Sequence, residues 1–300
     1  MVYQRFVVLV NSPNLTRIKI IKKSGSYMSK TFVREKRVEA GPYKHVSIYM
    51  RTINQELRSK EKRKARKQQL PRPAQVTWNN KKSRKYAGWL IYENFGKGDY
   101  YLTFTYSNEY LPATPADAMK HQRNTLDKLS RLYKKHGYEL KYIWFTSYQF
   151  SDETGYIKRI HHHAIISSGP SRDDVESCWS VGRKRIPLGR TQARLVQPNS
   201  NGLQELTNYL TNQEQWENRQ WKKSKKRWSA SRNLKKPTQS INDHKWSIRK
   251  LERVALSNDD GEEELLAKFP QHRLLSQPRI KHIKESGWYI EFELMQYESG

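Results

Sequence analysis

The chain is poor in cysteine, in acid and in long apolar runs. One cysteine, Cys178, stands among 300 residues. An intrachain disulfide and a cysteine-built zinc centre are therefore excluded, and a reducing compartment fits. Acids are outnumbered, with 29 Asp and Glu against 57 Lys and Arg, for a formal net charge of +28. Such an excess favours a polyanionic partner, because phosphates neutralised by Lys and Arg release their counterions. Nucleic acid is the expected partner and anionic membrane the competitor. Only 35% of residues are hydrophobic, and no stretch is long and apolar enough to span a bilayer. The run Val7-Val8-Leu9-Val10 is too short for the core of a secretory signal. No Gly-x-x-x-x-Gly-Lys-Ser/Thr segment is present, so a Walker-type nucleotide motor is absent from the chain. Neither membrane association nor a small-molecule cofactor is expected.

What the chain does have is base and aromatic ring together. Its 9 Trp and 18 Tyr are many for so polar a sequence; rings among cations suit stacking on single-stranded bases, although most are expected to fill the core. Along the chain, residues 5–10, 16–21 and 46–49 read as short strands. The segment 58–67 has helix formers but no apolar face, so it reads as a solvated helix or a basic arm ended by Pro71 and Pro73. A helix is expected over about 82–93 and another over about 116–135. Strands are expected at 100–106, 140–146, 156–167, 192–196 and 288–294, a short helix at 172–179 and a helix at 203–213. The order strand, helix, hairpin, helix, strand, helix over 100–213 defines an α+β class with a central, mainly antiparallel sheet. Three regions follow: a basic N-terminal region (1–80), a central domain (81–215) and a basic, Trp-containing C-terminal region (216–300).

The most informative segment is Ile160-His161-His162-His163-Ala164. On a strand, side chains alternate faces, so His161 and His163 project together. Two imidazoles held side by side form a chelate for a divalent metal. Ile160, Ala164 and Ile166 share the face of His162 and mark it as the buried one. A helix carrying Tyr209 follows the sheet, and the strand Leu102-Thr103-Phe104-Thr105-Tyr106 precedes it. A metal beside a tyrosine in a basic chain suggests phosphodiester chemistry, since the metal neutralises developing charge and a phenolate attacks phosphorus.

In order and spacing these three elements resemble motifs I, II and III of the HUH endonucleases, specifically the rolling-circle replication initiators of phages and plasmids. Residues 100–213 carry the resemblance, with Asn94-Phe95 and Gly98-Asp99 similar to the lead-in to motif I. It implies a five-stranded antiparallel sheet flanked by helices. It also implies nicking and rejoining of single-stranded origin DNA with Mg2+ or Mn2+, and a 5′-phosphotyrosine intermediate. His161 and His163 would be the metal ligands and Tyr209 the nucleophile. Host helicase and DNA polymerase would be partners, in the cytoplasm of a bacterial cell. A transposase with the same chemistry, or a nucleic-acid binder that has lost catalysis on the same scaffold, are the alternatives.

The chain departs from that pattern at three places. Motif II usually has a hydrophobic middle residue, here His162. Many relatives place a Glu on the preceding strand, where this chain has Thr146-Ser147-Tyr148-Gln149; Gln149, Glu109, Asp152 and Glu153 are the candidates for a third ligand. Relatives often have a Lys one turn after the tyrosine, where this chain has Asn212. Thr103 and Thr105 are candidate supporting residues. DNA contacts are expected from Lys62, Arg63 and Lys64 and from Lys222, Lys223, Lys225, Lys226 and Arg227, with Trp221 and Trp228 placed to stack on bases.

Overall fold

The computed structural model describes residues 31–64, 73–150, 157–211, 228–284 and 286–297. In chain order its elements are β1 (Thr31–Ala40), β2 (Tyr43–Thr52), α1 (Ile53–Lys64), α2 (Pro73–Asn94), β3 (Tyr100–Thr105), α3 (Pro115–Lys135), β4 (Tyr142–Phe150) and β5 (Ile157–Ile166). Then come α4 (Arg172–Ser177), β6 (Ser180–Val181), β7 (Ile186–Pro187), β8 (Thr191–Leu195), α5 (Gln204–Thr211) and β9 (Trp228–Ala230). The chain closes with β10 (Thr238–Asn242), α6 (Ile248–Ala255), α7 (Glu262–Leu266), β11 (His272–Leu274), β12 (Arg279–Ile283) and β13 (Gly287–Gln296).

Two antiparallel sheets organise these elements, so the class is α+β. The five-stranded sheet has the order β8-β3-β5-β4-β9. Its middle strand is the histidine strand, bonded on both edges, with His161 opposite Thr105 and Ser147 and His163 opposite Thr103 and Phe145. Along β5, Ile160, His162, Ala164 and Ile166 fall on one face and pack with Leu102, Phe104, Trp144, Leu129, Tyr133 and Trp179. That face is covered by α3 and α4. Helix α3 starts at a capping box, in which Thr114 and Asp117 satisfy each other's backbone N–H.

The other face is covered by α2 and α5. Residues 87–92 of α2 are buried in succession, which one apolar stripe would not require. A helix hydrophobic all round is a helix buried all round, and α2 lies between the two sheets: its Ala87, Leu90 and Ile91 share a core with Ile143, Phe145 and Ile165 of one sheet and with Val38, Tyr43 and Met295 of the other. Gly88 lets α5 approach, since a Cβ there would lie 2.9 Å from Thr207 Cγ2.

The second sheet joins segments far apart in sequence. Its order is β10-β1-β2-β13-β11, with β12 also paired to β13. Strand β2 extends the expected strand at 46–49 in both directions, and β13 contains the expected 288–294. Strand β1 has no counterpart among the expected elements, and α2 begins at Pro73 rather than near residue 82. The expected strands 5–10 and 16–21 lie outside the described residues.

One buried ionic cluster ties this sheet to α2. Glu291 of β13 accepts from His45 Nε2 of β2 (2.6 Å) and from Lys85 of α2. Burial pushes its carboxyl up, but the bonds from His45 and Lys85 outweigh that and hold it down at about 2. A carboxylate depressed in the folded state contributes stability above its unfolded pKa and loses it as pH falls through the folded one. Glu291→Gln should therefore cost on the order of 2 kcal/mol at pH 7. In thermal melts the gap between wild type and variant should narrow by pH 3; a constant gap would show that the cluster does not hold the sheet through this charge.

Candidate active site

The exposed end of the α2/α5-covered face gathers the histidine pair and a tyrosine. Helix α5 turns Thr207, Leu210 and Thr211 into the core, which leaves Tyr209 on its flank, 53% exposed. A tyrosine between two leucines usually packs inward; here its hydroxyl lies 3.4 Å from His163 Nε2, with the rings edge to face at 5.3 Å. His161 and His163 project from the same face of β5, ring centroids 5.0 Å apart.

His163 is fixed from the other side. Its Nδ1 lies 2.8 Å from the Tyr101 hydroxyl and 3.3 Å from Thr103 Oγ1. Both oxygens can accept, so with Nδ1–H donating, Nε2 keeps its lone pair towards Tyr209. Burial pushes the Tyr101 phenol up to about 12, keeping it neutral. Burial lowers His161, and burial together with His161 lowers His163 to about 3. Both imidazoles are thus neutral at physiological pH, the state that ligates metal.

His162 points the opposite way. It is fully buried, bracketed by Thr146 Oγ1 at Nδ1 (2.9 Å) and the Tyr106 hydroxyl at Nε2 (3.0 Å), and walled by Trp144 and Trp179. Burial first, then the neighbouring histidines, brings it to about 3. A satisfied, uncharged core histidine thus replaces the hydrophobic residue usual at that position.

Gly189 holds the end of β3 beside His161. A Cβ there would come within 2.3 Å of the Thr105 carbonyl, and its neighbours Leu188 and Arg190 accept from the backbone of Ser107 and Thr105. Thr105 Oγ1 also donates to Arg190 O (3.0 Å). Beside Tyr209 opens a groove of about 420 Å³ lined by Tyr101, Thr103, Gln192, Arg194, Glu205 and Leu206. Tyr101, Gln192, Arg194 and Glu205 had no place in the sequence reading. Tyr101 was within reach of it, two residues before Thr103 on a strand. Gln192 and Arg194 required the register of β8 on β3, in which they face Thr103 and Tyr101. Glu205 precedes Tyr209 by four residues, one helical turn.

The remaining candidates are scattered. Glu109 sits on the exposed helical turn Asn108–Tyr110. Gln149 lies on β4 opposite Arg159, and only its backbone is described. Asp152, Glu153, Asn212, Trp221, Lys222, Lys223, Lys225, Lys226 and Arg227 lie outside the described residues. Lys62, Arg63 and Lys64 fall in the last turn of α1. Trp228 is half-buried on β9, donating from Nε1 to Ser83 Oγ (3.0 Å) and packing near Tyr86. No three His, Cys, Asp or Glu side chains among the described residues cluster as a metal site. The donors that fit a divalent cation are thus two neutral imidazoles on one strand, with an oxygen still needed from elsewhere.

A five-stranded antiparallel sheet with a histidine pair on its middle strand and a tyrosine on the covering helix defines the site's class. A sequence model of a replication-associated protein family, that of ORF2 and the gene-2 protein, matches residues 99–214, from the start of β3 to just past α5. The match thus contains both histidines and Tyr209, and it is consistent with a replication initiator. No curated protein and no solved structure matches the chain. Among the described residues no helix is long and apolar enough to cross a membrane.

Proposed function

We propose that this protein is a metal-dependent endonuclease and strand transferase that starts rolling-circle replication by nicking single-stranded origin DNA. The observation that carries the reading is the Tyr209 hydroxyl 3.4 Å from His163 Nε2, on the face shared with His161.

His161 and His163 would hold Mg2+ or Mn2+, with an oxygen from Gln149, Glu109, Asp152 or Glu153. Bound there, the ion would polarise a phosphoryl oxygen and neutralise charge as it develops. The chain's own residues do the rest. Tyr101 and Thr103 fix the His163 ring. Arg194 offers a cation to the phosphate, and Tyr101 and Tyr209 offer rings to unstacked bases. Tyr209 Oη attacks phosphorus and forms the P–O bond as the P–O3′ bond breaks. The phenolic proton leaves to solvent along the exposed edge of the ring, and the departing 3′ oxygen takes a proton from solvent. A 5′-phosphotyrosine and a free 3′ hydroxyl result. Attack by another 3′ hydroxyl on the phosphotyrosine rejoins the strand and restores Tyr209. A host polymerase would extend the 3′ end and a host helicase would open the duplex.

The absence of a three-donor cluster among the described residues favours a second reading, a binder on the same scaffold with weakened chemistry. Incubation with a library of single-stranded oligonucleotides and Mn2+ separates the two. Nicking with a denaturation-resistant protein–DNA adduct, both lost in EDTA, is expected. Tight binding without any nick or adduct would establish the binder.

A further inference from the structure

On the side of the five-stranded sheet away from Tyr209, α3 and the hairpin β6–β7 enclose a second basic cleft, of about 380 Å³. Lys128, Arg131 and Lys135 line it from α3, Arg183 and Arg185 from the hairpin loop, and Asp174 is its one carboxylate. Asp174 is already engaged by Ser171 Oγ (2.6 Å) at the start of α4. Lys128 Nζ donates to Ser180 O and Oγ (2.6 and 3.0 Å), fixing the hairpin base to α3. Burial, and then the nearby Arg185 and Arg131, lower the Lys128 ammonium against the opposing pull of the Cys178 thiol. Among the described residues no carboxylate pairs with Arg131, Lys135, Arg183 or Arg185.

The hairpin loop is built at a cost. Gly182 and Arg185 both have positive φ, 70° and 52°. Glycine takes that conformation freely; a long side chain does so at roughly 1 kcal/mol, and such strain persists where the surroundings require it. Here it closes a four-residue turn that presents Arg183, Lys184 and Arg185, all exposed, beside the cations of α3.

We infer that this cleft binds the phosphodiester backbone of duplex DNA, a contact separate from the single-strand groove at Tyr209. Like charges crowded without counter-charge need an anion to neutralise them. No aromatic ring lines the cleft, so it offers no platform for unstacked bases, in contrast to the rings of Tyr101 and Tyr209 at the other site. Cations without rings read phosphate position, as duplex contacts do. The inference rests on nucleic acid being the partner but not on the nicking chemistry.

The test uses the full chain in EDTA, so that loss of nicking would leave it intact. Arg131→Ala/Lys135→Ala/Arg183→Ala removes three exposed, unpaired cations. Fluorescence anisotropy with a labelled 20-base-pair duplex and with oligo-dT of equal length is the readout. Duplex affinity should fall about tenfold or more at moderate salt, and its log–log salt slope should flatten by roughly 0.9 for each phosphate that the variant no longer neutralises, while oligo-dT affinity changes less than threefold. Arg185→Gly, which removes a charge and the backbone strain together, should weaken duplex binding while keeping the melting temperature. Unchanged duplex affinity in both variants, or equal losses on duplex and oligo-dT, would overturn the assignment.

Discussion

Tyr209→Phe should abolish nicking and leave no covalent adduct, with single-stranded DNA still bound. The loss should be on the order of 10⁴-fold or more, because without the phenolic oxygen the two-step route is closed and only background hydrolysis remains. The fold should survive. Tyr209 is 53% exposed, and its hydroxyl meets His163 only at long range, 3.4 Å, so the variant gives up little packing. Affinity for a short single-stranded oligonucleotide, read by anisotropy, should stay within about threefold, since the ring that stacks is retained. Residual nicking with an adduct at wild-type level would move the nucleophile elsewhere. Tyr101 and Tyr106 are the nearest alternatives, both pushed up by burial and therefore poorer phenolates.

His163→Ala should cost roughly 10² to 10³ in nicking rate, several kcal/mol of transition-state charge stabilisation. The variant removes a donor nitrogen and the partner of both Tyr101 and Tyr209. His162→Ala makes the informative contrast. His162 is sealed between Thr146 and Tyr106 under two tryptophans, so its loss opens a cavity and orphans two hydroxyls. About 3 kcal/mol of stability should go. At a temperature where the His162 variant is folded, its nicking rate should exceed that of His163→Ala at least tenfold, and excess Mn2+ should not rescue the latter. Equal losses in the two variants would show that the triplet acts only through the fold.

Much of this site was legible because its signals are local. Period-two alternation placed His161 and His163 together and His162 with Ile160 and Ala164, and the register on β3 and β4 agrees. The end of α3 at His136-Gly137 was legible for the same reason: glycine takes the left-handed conformation there, φ 76°. The second sheet was not legible. Strand β1 reads Thr-Phe-Val-Arg-Glu-Lys-Arg-Val-Glu-Ala, too charged for a buried strand by pattern. One inward position is Glu35, 1% exposed, which accepts from Trp246 Nε1 (2.7 Å) and pairs with Arg37 (2.6 Å). A carboxylate satisfied by a residue 211 positions away leaves no trace in the local sequence. The pairing of β2 with β13 is equally distant. Without it α2 showed only one apolar side, because the second sheet that buries the other was not in view. The basic cleft was missed for another reason. Charge runs drew attention to 62–64 and 222–227, whereas the cleft assembles single cations from α3 and a four-residue turn.

The most direct measurement is peptide mapping of the trapped protein–DNA adduct. After nicking in Mn2+, nuclease trimming and proteolysis, tandem mass spectrometry should place a 5′-linked nucleotide on Tyr209, and the adduct should be absent in EDTA. A nucleotide on any other residue, or nicked DNA bearing a free 5′ phosphate with no protein attached, would contradict the assignment of Tyr209 and the transesterification that depends on it.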